Sequence, residues 1–264
     1  MLKRLALLVC LVLATARAAA HEYTDVYYDI AEPGWGIFLV QSDTTEFIAF
    51  FIYGPDGKPV WYTAQLTDDG TGKYAGSLYA ITGTYFVNPW QGFNVSAAGT
   101  ASFQPSDNYH ATLSYTVNGA GTVTKAIQRQ TLTSYPMAAN YSGSMAGAIT
   151  GCNDPTRNDP AFRARYGLTV EQIGDQSASL TFTFVDTAHS GIVCTVTGPL
   201  SHFGRLYEMA ATLTCTGATN VGPIAVTIEA LHPTGQGIEG HLKGATGGGC
   251  TSSLHFSAVG AVNQ

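Results

Sequence analysis

Charge is scarce in this chain: Asp, Glu, Lys and Arg together supply 11% of its 264 residues. So few cations leave no basic stripe of the kind that nucleic acid or an anionic lipid surface requires. Long apolar runs are lacking beyond the first twenty residues, so no later segment reads as a membrane-spanning helix. No stretch keeps a helical period over more than two turns, which argues against any substantial α-helical layer. Familiar catalytic signatures are missing as well: the text holds no Gly-x-Ser-x-Gly, no HExxH and no phosphate-binding loop. The cysteines beyond Cys10 are confined to the C-terminal half, at spacings that match no CxxC metal pattern.

What is present first is a targeting signal. Lys3 and Arg4 precede an apolar run from Leu5 to Leu13 that is too short to cross a bilayer. Ala16-Arg17-Ala18 and Ala18-Ala19-Ala20 both fit a small-x-small cleavage site, so cleavage after Ala18 and after Ala20 are both open. Removing residues 1–20 leaves nine basic against eighteen acidic residues, a net charge of −9. The expectation is an exported protein, periplasmic or extracellular, with no nucleic-acid partner and no membrane insertion once the signal is gone. Export also fixes the reading of the four remaining cysteines as two disulfides. Of three connectivities, Cys194–Cys215 pairs two mid-strand residues on neighbouring strands, and Cys152–Cys250 ties the start of the second half to its end.

The rest of the text alternates in short strands. Val60–Leu66 places Trp61, Thr63 and Gln65 on one face and Tyr62, Ala64 and Leu66 on the other. Tyr53-Gly54-Pro55-Asp56-Gly57-Lys58-Pro59 is the clearest turn, with Asp-Gly supplying positive φ between two strands. Seven or eight strands fit before Leu132, and about as many fit in the second half, where Asp159–Tyr166 reads as a loop or one short helix. The fold expectation is all-β: two antiparallel meander domains, barrel- or sandwich-like, because open sheet edges are a liability. The domains are read as residues 21–132 and 139–264, with 133–138 as a linker. All three tryptophans fall before that linker and five of the seven histidines after it.

The chain is organised around Tyr27-Tyr28-Asp29-Ile30-Ala31-Glu32-Pro33-Gly34-Trp35-Gly36. With Lys58-Pro59-Val60-Trp61-Tyr62, Tyr74-Ala75-Gly76-Ser77-Leu78-Tyr79, Leu113-Ser114-Tyr115-Thr116-Val117 and Ile127-Gln128-Arg129-Gln130, it resembles an uncharacterised family of secreted bacterial proteins. That family carries an aromatic pair, Asn or Asp, a Glu and Gly-Trp-Gly, followed by an aromatic-rich meander. The resemblance covers about residues 23–132, and the cysteine-bearing half resembles a frequent companion domain. It implies a compartment and a domain boundary, and no reaction.

Candidate site residues follow from residue type. Asp29 and Glu32, three apart beside Trp35, could form an acid/base pair of the sort that flanks a glycosidic bond. Against this, a Pro-Gly turn needs local acceptors for its backbone N–H groups. Tyr85, Phe86, Trp90 and Phe93 crowd the loop expected over Thr82–Asn94, where they either offer a stacking platform for a sugar or apolar ligand, or plug the barrel. His21 becomes the terminal residue if cleavage follows Ala20, and its amine and imidazole could then chelate copper with a second histidine. Three functions are carried forward. The leading one is an exported non-catalytic binding protein for a glycan or small apolar ligand, using Trp90, Tyr85, Phe86, Phe93, Glu32 and Trp35 and needing no cofactor. The alternatives are a copper-binding or copper-oxidising protein built on His21, and a structural or adhesive envelope component.

Overall fold

The computed structural model describes residues 21–217 and 220–260; the leader read over residues 1–20 lies outside the described residues. Sixteen strands form two closed barrels of eight strands each. The first barrel contains β1 (Asp25–Tyr28), β2 (Gly36–Ser42), β3 (Thr45–Tyr53), β4 (Pro59–Asp68), β5 (Tyr74–Gly83), β6 (Phe93–Pro105), β7 (His110–Val117) and β8 (Gly121–Arg129). It is an antiparallel meander that closes where Tyr27 and Tyr28 of β1 pair with Arg129 and Gln128 of β8. Closure leaves neither edge strand open.

The second barrel contains β9 (Ala139–Thr150), β10 (Asp159–Ile173), β11 (Ser177–Phe184), β12 (Val193–Phe203), β13 (Leu206–Thr216), β14 (Val221–Thr234), β15 (Gly237–Gly247) and β16 (Cys250–Gly260). Here β9 lies between β10 and β16 and closes the ring. No α-helix occurs among the described residues; one 3-10 turn spans Pro155–Arg157. The loop or short helix expected over Asp159–Tyr166 is instead the start of β10. Its period-2 pattern is masked in the text by arginines, because Arg163 and Arg165 face outward while Phe162, Ala164 and Tyr166 face the core.

Both barrels are packed solid. The first fills its lumen with Tyr27, Ile37, Leu39, Ile48, Phe50, Leu66, Leu78, Phe103 and Leu113, and side chains of that volume leave an eight-stranded lumen no room for a ligand. In the second, Tyr166, Phe182, Tyr207, Met209 and Phe256 do the same. Alternation explains the inward set: on β4, Ala64 and Leu66 are fully buried while Trp61 and Gln65 face solvent. Sulfur pairing is Cys152–Cys250 and Cys194–Cys215, as expected. The first joins the strands flanking the closure seam, and the second bridges directly opposed residues of β12 and β13. Two such bonds require an oxidising environment to form and persist.

Residues 130–138 join the barrels and lie against the second one. The Tyr135 N–H donates to the Tyr207 hydroxyl at 3.1 Å, the Met137 N–H donates to Gln172 Oε1 at 2.7 Å, and the Met137 side chain is fully buried. The barrels meet through the β6–β7 turn of the first. Tyr109 stacks on Phe203 with ring centroids 4.7 Å apart, and its hydroxyl accepts from the Ala230 N–H at 2.8 Å. Ala230 sits at φ 48°, a left-handed backbone in which its N–H turns away from the β14 ladder toward that hydroxyl.

Candidate functional site

Because the second barrel packs against the end of the first that holds the β6–β7 turn, the opposite end projects freely. Antiparallel register brings four connections to that far end: residues 29–35, 54–58, 84–92 and 118–120. The first is the Pro-Gly elbow. Asp29 Oδ1 accepts from the Ala31 N–H at 2.9 Å and the Asp29 carbonyl accepts from the Glu32 N–H at 3.1 Å. Gly34 adopts φ 116°, and its carbonyl accepts from the Tyr53 hydroxyl at 2.8 Å. Gly36 is required for a different reason: a Cβ there would lie 2.6 Å from the Tyr27 carbonyl oxygen of β1.

Glu32 does not take up the turn's N–H groups. It accepts from the Lys125 ammonium of β8, and that hydrogen bond, with a further one from Trp35, holds its carboxyl below the usual glutamate range. Asp29 is engaged by the turn and Glu32 by Lys125 and Trp35. A general acid needs the opposite, a carboxyl pushed upward so that it keeps its proton. Trp35 is half-buried and packs on the first barrel's core.

The aromatic loop is shorter than the text suggests, since Gly83–Phe93 and Thr82–Asn94 pair as the last rungs of β5 and β6. The connection is therefore residues 84–92, and Phe93 begins β6. Its base is pinned: the Thr84 N–H and hydroxyl both donate to the Gly92 carbonyl, at 3.1 and 3.0 Å, and the Gln91 N–H donates to Thr84 Oγ1 at 2.9 Å. A tight turn from Tyr85 to Asn88 closes the tip. On this frame the aromatics stand in solvent, with Phe86 88% and Trp90 70% exposed and Tyr85 and Phe93 little less so. The alternative of a barrel plug is therefore overturned. The lumen is already filled, and none of these four rings enters it. Tyr85 and Phe86 meet edge to face at 4.9 Å, and Trp90 lies 6.4 Å from Phe93 at a 31° tilt.

At the same end of the barrel is an open groove of about 330 Å³ lined by Gly34, Phe51, Ile52, Tyr53, Pro59, Val60 and Trp61. Phe51 and Trp61 are directly opposed across β3 and β4, and both face out, Trp61 with 53% of its surface exposed. Exposed apolar side chains continue on the neighbouring β2, at Phe38 and Val40, and on β3 at Phe47. By contrast the outer face of β7 and β8 is a hydroxyl ladder, with Ser114 bonded to Thr124 and Thr116 to Thr122. One side of the barrel is thus polar and hydroxyl-rich, and the other apolar and aromatic.

No protein-family model and no curated protein matches this chain.

The remaining expected site residue, His21, lies at the other end of the first barrel. Its Nδ1 is 2.6 Å from Asn108 Oδ1, and it faces a cleft between the barrels lined also by His232, His241, His255, Glu22 and Glu239. Among the described residues no three His, Cys, Asp or Glu side chains form a group that could hold a metal ion. Two further residues have structural weight that the candidate list missed. Arg129 is 1% exposed, and its guanidinium donates to Asp25 at 2.9 Å, to the Thr24 and Glu22 carbonyls, and through Nε to the Asn108 carbonyl at 2.7 Å. Glu46 is fully buried with neither carboxylate oxygen hydrogen-bonded, and burial, aided by Asp68, pushes its pKa up to about 8. Alternation would have found both, since Glu46 is in phase with Ile48 and Phe50, and Arg129 with Ile127.

Proposed function

We propose that this chain is an exported, non-catalytic binding protein that takes a glycan across the aromatic end of its first barrel. What carries the reading is the preorganisation of solvent-facing rings: Tyr85, Phe86 and Trp90 stand on a loop pinned at Thr84 and Gly92, Phe93 follows at the start of β6, and the same barrel end carries a groove walled by Phe51, Tyr53 and Trp61. A monomeric fold gains nothing by exposing so many aromatic rings, whereas a binding face does. Sugar rings offer apolar C–H faces that stack on indole and phenol, while their hydroxyls seek amides and carboxylates. Asn88, Gln91 and Asn94 supply amides within and beside the same loop. Ordering these rings in advance lowers the entropy lost on binding. The leader sequence and the two disulfides support export.

The engagement of Asp29 in its turn and of Glu32 with Lys125 favours binding over hydrolysis. A glycan-array screen of the exported protein tests the reading, with Trp90→Ala and Trp61→Ala as comparisons. Binding to a defined glycan class that both variants lose supports it. An empty array, or binding indifferent to both substitutions, refutes it. The structural or adhesive alternative draws on the apolar belt through Phe38, Val40 and Phe47, and predicts concentration-dependent self-association instead.

A further inference from the structure

Closure protects the wall of the first barrel, but one hairpin runs on past that wall. β5 and β6 stay paired out to Gly83–Phe93, whereas β4 leaves β5 at Thr63–Tyr79 and β7 leaves β6 at Gly99–Val117. The cause is local. Leu78 pairs with Gly99 but Tyr79 pairs with Ala97, so Ala98 is an extra residue, and a bulge of this kind bends its strand. At the bend β6 passes so close to β7 that a Cβ on Gly99 would strike the Thr116 carbonyl oxygen. Beyond it, every residue from Thr82 to Ala97 is exposed except Thr84 and Gly92. The alternation of a strand with one buried face is therefore lost, and the ribbon meets solvent on both faces.

A two-stranded hairpin by itself is marginally stable in water, and a third strand is what makes such a ribbon secure. Natural edge strands are guarded by lysine, proline or an inward charge. Here no Asp, Glu, Lys, Arg or His occurs from Tyr74 to Ser106. The direction of the backbone groups follows from alternation. The Thr84 N–H donates to the Gly92 carbonyl, which makes those two a hydrogen-bonded pair. Counting along the ladder from there turns the N–H and C=O of Phe93 and Val95 away from β5. The Ala97 carbonyl, next in phase, does point outward, since it accepts from the Asn118 amide at 3.4 Å. Among the described residues no strand pairs with β6 at Phe93 or Val95 on that outer side.

We propose that the outer edge of β6 at Phe93–Val95 is a homodimer seam, where a second copy of this chain pairs antiparallel about a twofold axis at Asn94. In that register Phe93 of each copy opposes Val95 of the other, and both pairs exchange N–H···O bonds through groups that otherwise face water. Phe93 is 66% and Val95 45% exposed, and an aromatic ring opposite a β-branched side chain is a favourable cross-strand match. A second copy suits this edge in three ways. Copies of a chain this acidic repel one another, and the repulsion is weakest where a long segment carries no charge. The Phe93/Val95 pattern is complementary to itself, so one symmetric contact satisfies both edges and closes at two copies. Finally, two marginal ribbons become one four-stranded sheet. So short a seam buries less than about 1,200 Å² in total, the size of reversible associations.

This inference stands on the strand edge and does not rest on the glycan reading; Tyr85, Phe86 and Trp90 lie outside the ladder. Sedimentation velocity of the exported protein from about 1 to 200 μM tests it, with monomer at the dilute end and dimer at the concentrated end as the expected result. Val95→Pro removes an outward N–H and spares the β5–β6 pairing, because an edge tolerates proline where its N–H faces out. It should weaken the dimer on the order of tenfold or more. Asn94→Lys sets like charges opposite each other at the twofold axis, so its dimer should dissociate at low salt and return at high salt. Phe47→Ser, on the apolar belt away from the seam, should leave the dimer unchanged. Melting temperatures taken at dilute, monomeric concentration should match wild type in all three, which separates lost pairing from lost fold. A monomer at every concentration overturns the proposal, and so does growth beyond two copies. A dimer that either β6 variant leaves unweakened, or that Phe47→Ser abolishes, overturns it equally.

Discussion

Glu46→Gln should stabilise the first barrel, and the gain should grow with pH. Glu46 points inward from β3, fully buried, with no hydrogen bond to either oxygen, and its pKa is raised from the ordinary 4.5 to about 8. A group whose folded pKa lies above its unfolded one contributes most below the unfolded value and loses that contribution as pH rises through the folded one. Between pH 4.5 and 8 the unfolded chain has given up a proton that the folded chain keeps. Stability then falls by about 1.4 kcal/mol per pH unit from this residue. The full shift sets a ceiling of about 5 kcal/mol at pH 8 and above, and about 3 kcal/mol at pH 7.

His241 works in the opposite sense. Its pKa is lowered from 6.5 to about 4, so its contribution rises with pH across that window and flattens the wild-type profile below pH 6.5. The difference between wild type and Glu46→Gln cancels that term. All three tryptophans lie in the first barrel, so urea unfolding followed by tryptophan fluorescence reports that barrel specifically. Measured every half unit from pH 4 to 9, the gain should be near zero at pH 4, climb through pH 8 and level off. A gain that is constant across the range, or absent at pH 8, would refute the reasoning.

Four further outcomes follow from the same coordinates. Arg129→Met should destabilise the first barrel by about 3–5 kcal/mol, read as a lower urea midpoint, because it removes the buried guanidinium that pairs the Asp25 carboxylate and three backbone carbonyls. Thiol titration of the exported protein in denaturant without reductant should find none free. Replacing Cys152 and Cys250 by serine should cost about 4–5 kcal/mol for a closure of 98 residues, more than the pair Cys194–Cys215 with its separation of 21. Tyr109→Phe should loosen the junction between barrels by about 1–2 kcal/mol through loss of the hydroxyl that accepts from the Ala230 N–H, detectable as faster hydrogen exchange at Ala230. Trp90→Ala should change the melting temperature very little, as truncation of a ring already in water does.

Much of this architecture was legible because barrels with solid interiors obey alternation. Trp61–Leu66, the Asp56-Gly57 turn and the even cysteine count each carry a local signal that the folded chain honours. The aromatic loop was visible as composition, but its disposition was not. A ring in a loop can plug a barrel or face water with the same neighbours in sequence, and only the filled lumen decides between them. Asp159–Tyr166 was misleading because outward arginines interrupt what would otherwise read as a strand. Glu46 and Arg129 were hidden by the assumption that charge faces out, although their positions alternate in phase with core residues. The histidine cleft was beyond reach of local reasoning altogether. His21 and His241 line one cleft only because one barrel packs on the other, and no spacing rule joins residues so far apart.

The most direct test of the aromatic-end reading is a fluorescence titration with whichever glycan class the array selects. Trp61 and Trp90 are exposed and Trp35 is half-buried, so stacking of a sugar should shift emission to the blue from the first two alone. The account predicts a saturable shift in wild type, a partial one in each single variant, and neither shift nor binding in Trp61→Ala/Trp90→Ala at unchanged melting temperature. Retention of wild-type affinity in that double variant, measured by calorimetry on the same glycan, would contradict it.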